Sequence, residues 1–370
     1  SHEPCMSPLA PQPRAHVRRA GGFWRQPLWA PLNDAEAWNR LVRIVNPAWS
    51  FTEPRARVVR VVDEAPGVRS LWLKPNGRFG HFSPGQHVLL ELEIDGVRQA
   101  RCFSLSHAPR ADRLLRLTIK RKDDGPVSRA AHALARGQVV RLGRAQGQFA
   151  PRDPAAPLLL LAAGSGITPM LSLLHGMVAA GADRDVVLLH GIRAEADAIG
   201  TLELQQLAAR WPRLRVHVRA SASQGRLDPA AVAGLVPDWR ERETLLCGPD
   251  GFMRQVEAMY AAAGCSALLQ SESFGRRAAP IVPGAAAHAV SHGSPEQVFT
   301  ALAGQSLLEA AEAAGLRPRY GCRRGICRTC TCRKRSGTVT NLLTGLASGP
   351  GEELIQLCVS SPQSALELAL

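Results

Sequence analysis

Tyr320-Gly-Cys-Arg-Arg-Gly-Ile-Cys-Arg-Thr-Cys-Thr-Cys332 sets Cys322, Cys327 and Cys330 at the spacing Cys-x4-Cys-x2-Cys, and Cys358 follows 28 residues later. Three thiolates this close wrap one side of a small inorganic core, and a fourth from a distant segment closes the cage. That is the spacing that holds two irons and two sulfides, a [2Fe–2S] centre. Gly325 is the place for a close backbone approach or a positive φ. A four-Cys zinc site instead pairs two short Cys-x2-4-Cys arms, and no second arm lies near Cys358. Cys332, two residues beyond Cys330, is assigned to a buried thiol because the x4/x2 spacing fits Cys330.

Outward from this loop, 370 residues leave room for two or three domains, each with its own core. Apolar content of 45% and charged content of 21% are ordinary for a globular chain. No stretch approaches the roughly 18 to 20 apolar residues of a membrane span. No basic-then-apolar leader is seen at the N-terminus, and Cys5, Cys102, Cys247, Cys265 and Cys332 show no disulfide framework. The expected location is the cytoplasm, with peripheral contact at the inner face of the membrane left open. The net charge is +14, with only four lysines among 45 basic residues. Arg-rich composition follows genome base composition as readily as function, and no nucleic-acid module accompanies it.

The texture changes twice along the chain. Residues 1–52 are Trp-, Pro- and Arg-rich, with one amphipathic stretch, Asp34 to Val45, that sets Trp38, Leu41, Val42 and Val45 on one side. Residues 53–152 alternate in the strand period over Arg55–Val62, Ser70–Leu73, His87–Ile94, Arg101–Ser104 and Leu114–Lys120, which predicts an all-β barrel. Residues 153–276 alternate strands and helices from Leu158–Ala163 to Phe252–Ala262, which predicts an α/β parallel sheet covered on both faces. Residues 277–285 read as a linker. Residues 286–370 form the α+β cluster domain, where Ser306 and Glu309 make a capping box on the helix Leu307–Ala314.

Three further motifs carry chemistry. Arg101-Cys-Phe-Ser104 ends a barrel strand: the Arg suits a pyrophosphate, the aromatic ring suits a flat heterocycle, and the hydroxyl suits its ring nitrogens. Gly125, Pro126, Val127 and Ser128 open a helix whose first amides suit the same phosphate. Gly164, Ser165, Gly166, Ile167, Thr168 and Pro169 follow the first strand of the α/β unit, where glycines admit a phosphate and the helix dipole favours it. Cys247, Gly248 and Pro249 end the last strand of that sheet, at the carboxyl edge where open α/β sheets bind ligands. Glu272 and Phe274 follow the final strand on the same edge.

In this order the motifs resemble the ferredoxin–NADP reductase superfamily with a C-terminal plant-type ferredoxin of β-grasp fold, over residues 55–370. The resemblance implies that Arg101 contacts the pyrophosphate of FAD, rather than FMN, that Phe103 packs on the flavin, and that Ser104 hydrogen-bonds near N5. Cys102 and Lys120 join the flavin-site candidates. Thr168 and Cys247 would border the nicotinamide, and Glu272 would support hydride transfer, so Ser104, Thr168, Cys247 and Glu272 form the implied catalytic set. Phe103 stands where the family usually has Tyr. The family's Ser-Arg after the third strand reads Ser221-Ala222, so Arg193, Arg219 and Arg226 are the candidates for a 2′-phosphate, with NADPH slightly favoured over NADH.

The segments Asn46–Ser50, Arg55–Val59, Pro84–His87, Ile94–Val97 and Arg101–Ser104 resemble reductases that serve bacterial membrane-bound fatty-acyl desaturases. Related reductases serve Rieske-type demethylases and other hydroxylases. A nicotinamide gives up two electrons as hydride, and a [2Fe–2S] centre takes one at a time, so flavin stands between them. The expected path is NAD(P)H to FAD to [2Fe–2S] to an oxygen-activating protein, with an iron–sulfur sensor or carrier as the rival class. From Ala313 to Gly351 there is no Asp or Glu, while Arg317, Arg319, Arg323, Arg324, Arg328, Arg333, Lys334 and Arg335 crowd the loop. The expectation is a basic rim that steers an acidic or lipid-bound acceptor.

Overall fold

The computed structural model describes residues 34–274, 284–293, 297–321, 323, 325 and 328–370. Cys322, Arg324 and Cys327 lie outside them. The first element, α1 (Ala35–Val45), is capped by Asp34, whose Oδ1 accepts from the amides of Glu36 (2.9 Å) and Ala37 (3.2 Å). Its seat on the body is polar. Asn39 is fully buried, donates to Thr52 Oγ1 (2.8 Å) and accepts from the amide of Phe51 (2.7 Å). Arg43 pairs with Glu36 and Glu53, and Glu53 also pairs with Arg141.

Six antiparallel strands follow: β1 (Arg55–Ala65), β2 (Val68–Pro75), β3 (His87–Ile94), β4 (Val97–Ser104), β5 (Leu115–Lys120) and β6 (Val139–Leu142), with α2 (Pro126–His132) between the last two. Their order is β4-β3-β6-β1-β2-β5. A bridge from Leu105 to Leu117 brings the end of β4 back to β5 and closes the barrel. The period-2 pattern turns Val88, Leu90 and Leu92 of β3 inward against Leu71, Leu117 and Val140. The strand β6 escapes the sequence reading because it is four residues long, yet it pairs with both β1 and β3.

The second unit runs β7 (Leu158–Ala163), α3 (Ile167–Ala179), β8 (Val186–Ile192), α4 (Thr201–Arg210), β9 (Leu214–Ala220), α5 (Ser221–Gln224), α6 (Pro229–Leu235), β10 (Glu243–Gly248), α7 (Asp250–Ala262) and β11 (Leu269–Ser273). All five strands are parallel, in the order β11-β10-β7-β8-β9. The central strand β7 is covered on both faces, which is why Leu158 to Leu161 is an unbroken apolar run. The chain proceeds from β7 to one side and later returns to the other through β10. The carboxyl ends of β7 and β10 therefore flank the switch point where such sheets bind ligands.

Two sets of contacts help clamp barrel and sheet together. The Pro84–Gly85 turn lies on α3, where Gly85 (φ +84°) donates to Ser172 Oγ (3.4 Å). A Cβ on Gly85 would stand 1.9 Å from the Phe149 carbonyl oxygen, so only glycine fits. Nearby, Arg116 of β5 donates to Glu203 of α4 (2.9 Å), Glu203 also binds His175 of α3, and His175 stacks on His107 with centroids 3.9 Å apart.

The third unit contains β12 (Ala287–His292), β13 (Gln297–Leu302), α8 (Leu307–Ala313), β14 (Thr331–Ser336), β15 (Val339–Asn341), β16 (Glu353–Gln356), β17 (Ser360–Pro362) and β18 (Leu366–Ala369). A mixed sheet in the order β13-β12-β18-β14-β16 is joined by the small β15-β17 pair. Ser306 caps α8, its hydroxyl accepting from the Glu309 amide (3.2 Å). Leu307, Leu308, Ala310 and Ala311 bury one face of α8 against the sheet. Lys334 on β14 is fully buried and donates to the carbonyls of Gly337 (2.6 Å), Gly349 (2.8 Å) and Gly351 (2.6 Å).

Candidate functional site

The first focus lies where the barrel meets the carboxyl edge of the parallel sheet. Register pairs His87 with Ser104 across β3 and β4, and pairs Cys247 with Glu272 across β10 and β11. His87 Nδ1 and Glu272 Oε1 stand 3.1 Å apart, both side chains nearly buried, at an angle too poor for a hydrogen bond. Ser104 is buried, and its hydroxyl has no hydrogen-bond partner among the described residues. A buried hydroxyl without a partner costs free energy, and a heterocycle nitrogen or oxygen would satisfy it. The flavin-side and nicotinamide-side candidates thus converge, through a histidine whose only sequence signal is its place in the Pro84–His87 segment.

Other barrel candidates divide. Phe103 is partly buried against the barrel core, Cys102 pairs with Leu89 in the ladder, and Lys120 is exposed. Val127 is fully buried in the core, so only its backbone could meet a ligand. Ser128 Oγ accepts from the Lys122 amide (3.0 Å) and donates to Gly125 O (2.9 Å), which closes the loop. Beyond Pro126, the amides of the first turn of α2 are what this loop offers a phosphate. Arg101 turns elsewhere: it donates to Gly321 O (2.7 Å) of the cluster loop and lies over Tyr320.

On the sheet edge, Gly164 adopts φ +54° and Ile167 opens α3. Gly166 owes its identity to a neighbouring strand, since an added Cβ would meet Cys247 O at 2.1 Å. Thr168 is buried and donates to Ser165 O (3.0 Å), and Pro169 is buried in the same turn. His190 of β8, which the sequence reading missed, is fully buried with Nε2 3.0 Å from Gly164 O. A carbonyl only accepts, so Nε2 carries the proton, and burial pulls the imidazole down to about 4. Its only sequence signal is a His inside an apolar strand.

Gly248, like Gly166, is crowded: its Cβ would meet Phe252 and Ala163. Pro249 caps α7, and Phe274 packs on the edge of the sheet core. Ser221 and Ala222 meet the Arg193 carbonyl (3.4 and 2.9 Å), joining the ends of β8 and β9. Arg219 is committed to the carbonyls of Gln224 and Gly225, which leaves the exposed Arg193 and Arg226 as the cations at this corner.

At the second focus, Cys330 Sγ and Cys358 Sγ are 3.2 Å apart. The Leu357 amide donates to Cys330 O (3.1 Å) and ties the two segments together. Gly325 (φ +72°) directs its amide at Cys358 Sγ (3.3 Å) and accepts at its carbonyl from Gln356 (2.9 Å). A Cβ there would press on Leu343 and Val359 at 3.1–3.2 Å. Amide donation to a thiolate is the hydrogen bonding that tunes such centres. Cys332 points elsewhere, its Sγ 3.4 Å from Ala369 O, and burial pushes its thiol up. Two convergent sulfurs in a glycine-turned, N–H-lined loop fit a thiolate-held cluster.

The basic rim is smaller than the composition implies. Arg323 pairs with Glu312, Arg333 with Glu352 (2.9 Å), Arg335 with Glu367 (2.9 Å), and Lys334 is internal. Three of these four cations are matched by acids from outside the acid-free window, and Lys334 lies 3.5 Å from another, Glu353. Arg317, Arg319 and Arg328 stay exposed, with no ion pair among the described residues. Arg317 and Arg319 border a groove of about 520 Å³ that reaches Cys330 and Cys332.

Three family descriptions match in sequence: an oxidoreductase FAD-binding domain over residues 68–150, an oxidoreductase NAD-binding domain over 160–258, and a 2Fe-2S iron-sulfur cluster binding domain over 291–363. An NADPH oxidoreductase of Mycobacterium tuberculosis is 38% identical over 86% of this chain and 85% of its own length. The glycine betaine monooxygenase reductase subunit of Chromohalobacter salexigens is 30% identical over 87% of this chain and 96% of its own. The crystal structure of phthalate dioxygenase reductase superposes with a TM-score of 0.56 at 23% identity, over 85% of this chain and 97% of that one. The chain belongs to the ferredoxin–NADP reductase superfamily, in the group with a C-terminal 2Fe–2S domain. It is an oxidoreductase built to bind FAD, NAD(P)H and a [2Fe–2S] cluster.

Proposed function

We propose that this chain is the reductase component of an oxygenase system and passes electrons from NAD(P)H through FAD and the cluster to a monooxygenase or dioxygenase partner. The observation that carries it is the convergence of Ser104, His87, Glu272 and Cys247 where the barrel meets the carboxyl edge of the sheet, with Arg101 of the same barrel gripping the cluster loop. Bound FAD supplies the exchange between a two-electron donor and a one-electron acceptor. Ser104 hydrogen-bonds the ring near its reactive nitrogen, and Phe103 packs against it. Glu272 and His87 hold the meeting point of the two units dry, so that nicotinamide and flavin approach without water. Thr168 and Cys247 border the nicotinamide, and Arg193 and Arg226 receive a 2′-phosphate, which favours NADPH. Cys330 and Cys358, with Cys322 and Cys327, hold the cluster.

The names of the relatives support an oxygenase as acceptor. A membrane-bound acyl desaturase is the second reading, favoured by the N-terminal motifs. The test is Cys330→Ser in the holoenzyme. NADPH-driven ferricyanide reduction should stay within about twofold while cytochrome c reduction falls at least about tenfold, because only the one-electron exit is removed. Equal loss of both would refute this order of carriers. Reconstitution with an oxygenase component and, separately, with desaturase membranes discriminates the two acceptors.

A further inference from the structure

The N-terminal helix is built inside out. In a helix that packs on a core, the apolar stripe faces inward; in α1 the inward side chains are Asn39 and the half-buried Arg43, held by hydrogen bonds and ion pairs to Thr52, Phe51, Glu53 and the exposed Glu36. The outward face carries Leu41 (56% exposed), Ile44 (80%) and Val45 (75%), and beyond the helix Trp49 (51%) and Phe51 (50%) are also exposed. A polar network therefore fixes the helix so that its apolar side meets solvent. Such a patch is uncommon on a protein that has no use for it.

We infer that this face is a membrane-surface anchor that lies in the interface of a bilayer containing anionic lipid. Charge and residue type select that occupant. Residues 1–33, which lead into the helix, contain Arg14, Arg18, Arg19 and Arg25 against a single acid, Glu3, and the whole chain carries +14. Exposed aliphatic side chains followed in sequence by exposed Trp and Phe, and preceded by a basic stretch, match what sits at the headgroup boundary of negatively charged lipid. No helix among the described residues is long and apolar enough to cross a membrane, so the contact is superficial and reversible. The inference goes beyond the oxygenase reading and does not depend on it, because the anchor would serve any acceptor located at a membrane.

The test is vesicle flotation of the full holoprotein at low salt, with phosphatidylcholine vesicles that contain or lack phosphatidylglycerol as about a third of the lipid. The chain should float with the anionic vesicles, and added salt should weaken that binding. Replacing Leu41, Ile44 and Val45 together by Ser should lower partitioning on the order of a hundredfold. Ferricyanide reduction and the visible spectrum should stay unchanged, since none of the three belongs to the redox site. If the triple variant misfolds, Ile44→Ser alone, at the most exposed position, should still reduce binding measurably. Failure to float, or flotation indifferent to these substitutions, overturns the anchor. So does lipid-free self-association that the substitutions abolish, which would make a second copy the occupant.

Discussion

Replacing Lys334 with Met should unfasten the third unit and leave the other two running. The ammonium is fully buried and donates to three backbone carbonyls at 2.6–2.8 Å, with Glu353 at 3.5 Å. Charge-assisted hydrogen bonds of this kind net roughly 1.5 to 3 kcal/mol each. Removing the charge also removes its own desolvation cost, and the exposed Gly349 and Gly351 can turn to water. The partly exposed Glu353 adds little. We therefore expect a net loss of about 3 kcal/mol. For a unit of this size each kcal/mol moves the midpoint by roughly 4 to 8 °C, so the thermal loss of cluster absorbance should come about 12 to 24 °C earlier. Ferricyanide reduction, which draws on the barrel and the parallel sheet, should keep its own melting profile. A cluster transition within about 3 °C of the parent, a shift worth under 1 kcal/mol, would refute the reasoning. It would mean that the three carbonyls do not depend on the ammonium.

Two further outcomes follow from the geometry. Burial holds His190 neutral, with its pKa drawn down from 6.5 to about 4; the unfolded chain takes up a proton first as pH falls, so stability is lost between about pH 6.5 and 4, by up to roughly 3 kcal/mol. His107, also drawn down to about 4, adds in the same direction. Urea midpoints at pH 7 and 4.5 measure this, and a flat profile contradicts it. At the exit surface, changing Arg317, Arg319 and Arg328 to Gln should slow delivery to the physiological acceptor severalfold at low salt, an effect that fades as salt screens. Changing the ion-paired Arg333 and Arg335 should matter little, and equal effects from both sets would mean that local pairing does not shape the rim.

The iron–sulfur domain was legible because thiolate spacing is imposed by the inorganic core itself. The barrel and parallel sheet were legible because period-2 alternation and an all-buried Leu158–Leu161 run are local signals. What the sequence hid was set by distant partners. The strand β6 is too short to show a period, yet it bridges β1 and β3. Gly166 read as a phosphate contact, although its missing Cβ makes room for the backbone of β10. The amphipathic stretch of α1 was plain, but its orientation depends on Asn39 finding Thr52 and Phe51 in the following turn. The basic rim was overcounted because Glu312, Glu352 and Glu367 fall outside the acid-free window yet fold back onto it. His87 meets Glu272 only after two separate units dock.

The grip of Arg101 on Gly321 has a consequence for how such reductases can be recombined. The acceptor of that hydrogen bond is a main-chain carbonyl, so it makes little demand on side-chain identity. Among the described residues of the loop, Tyr320, over whose ring the guanidinium groups of Arg101 and Arg323 lie, adds a side-chain requirement. A transplanted iron–sulfur module that keeps an aromatic residue just ahead of its first ligand can therefore be received by this flavin platform. Lineages, and protein engineers, can exchange the output plug for a new client while leaving the hydride-handling body untouched.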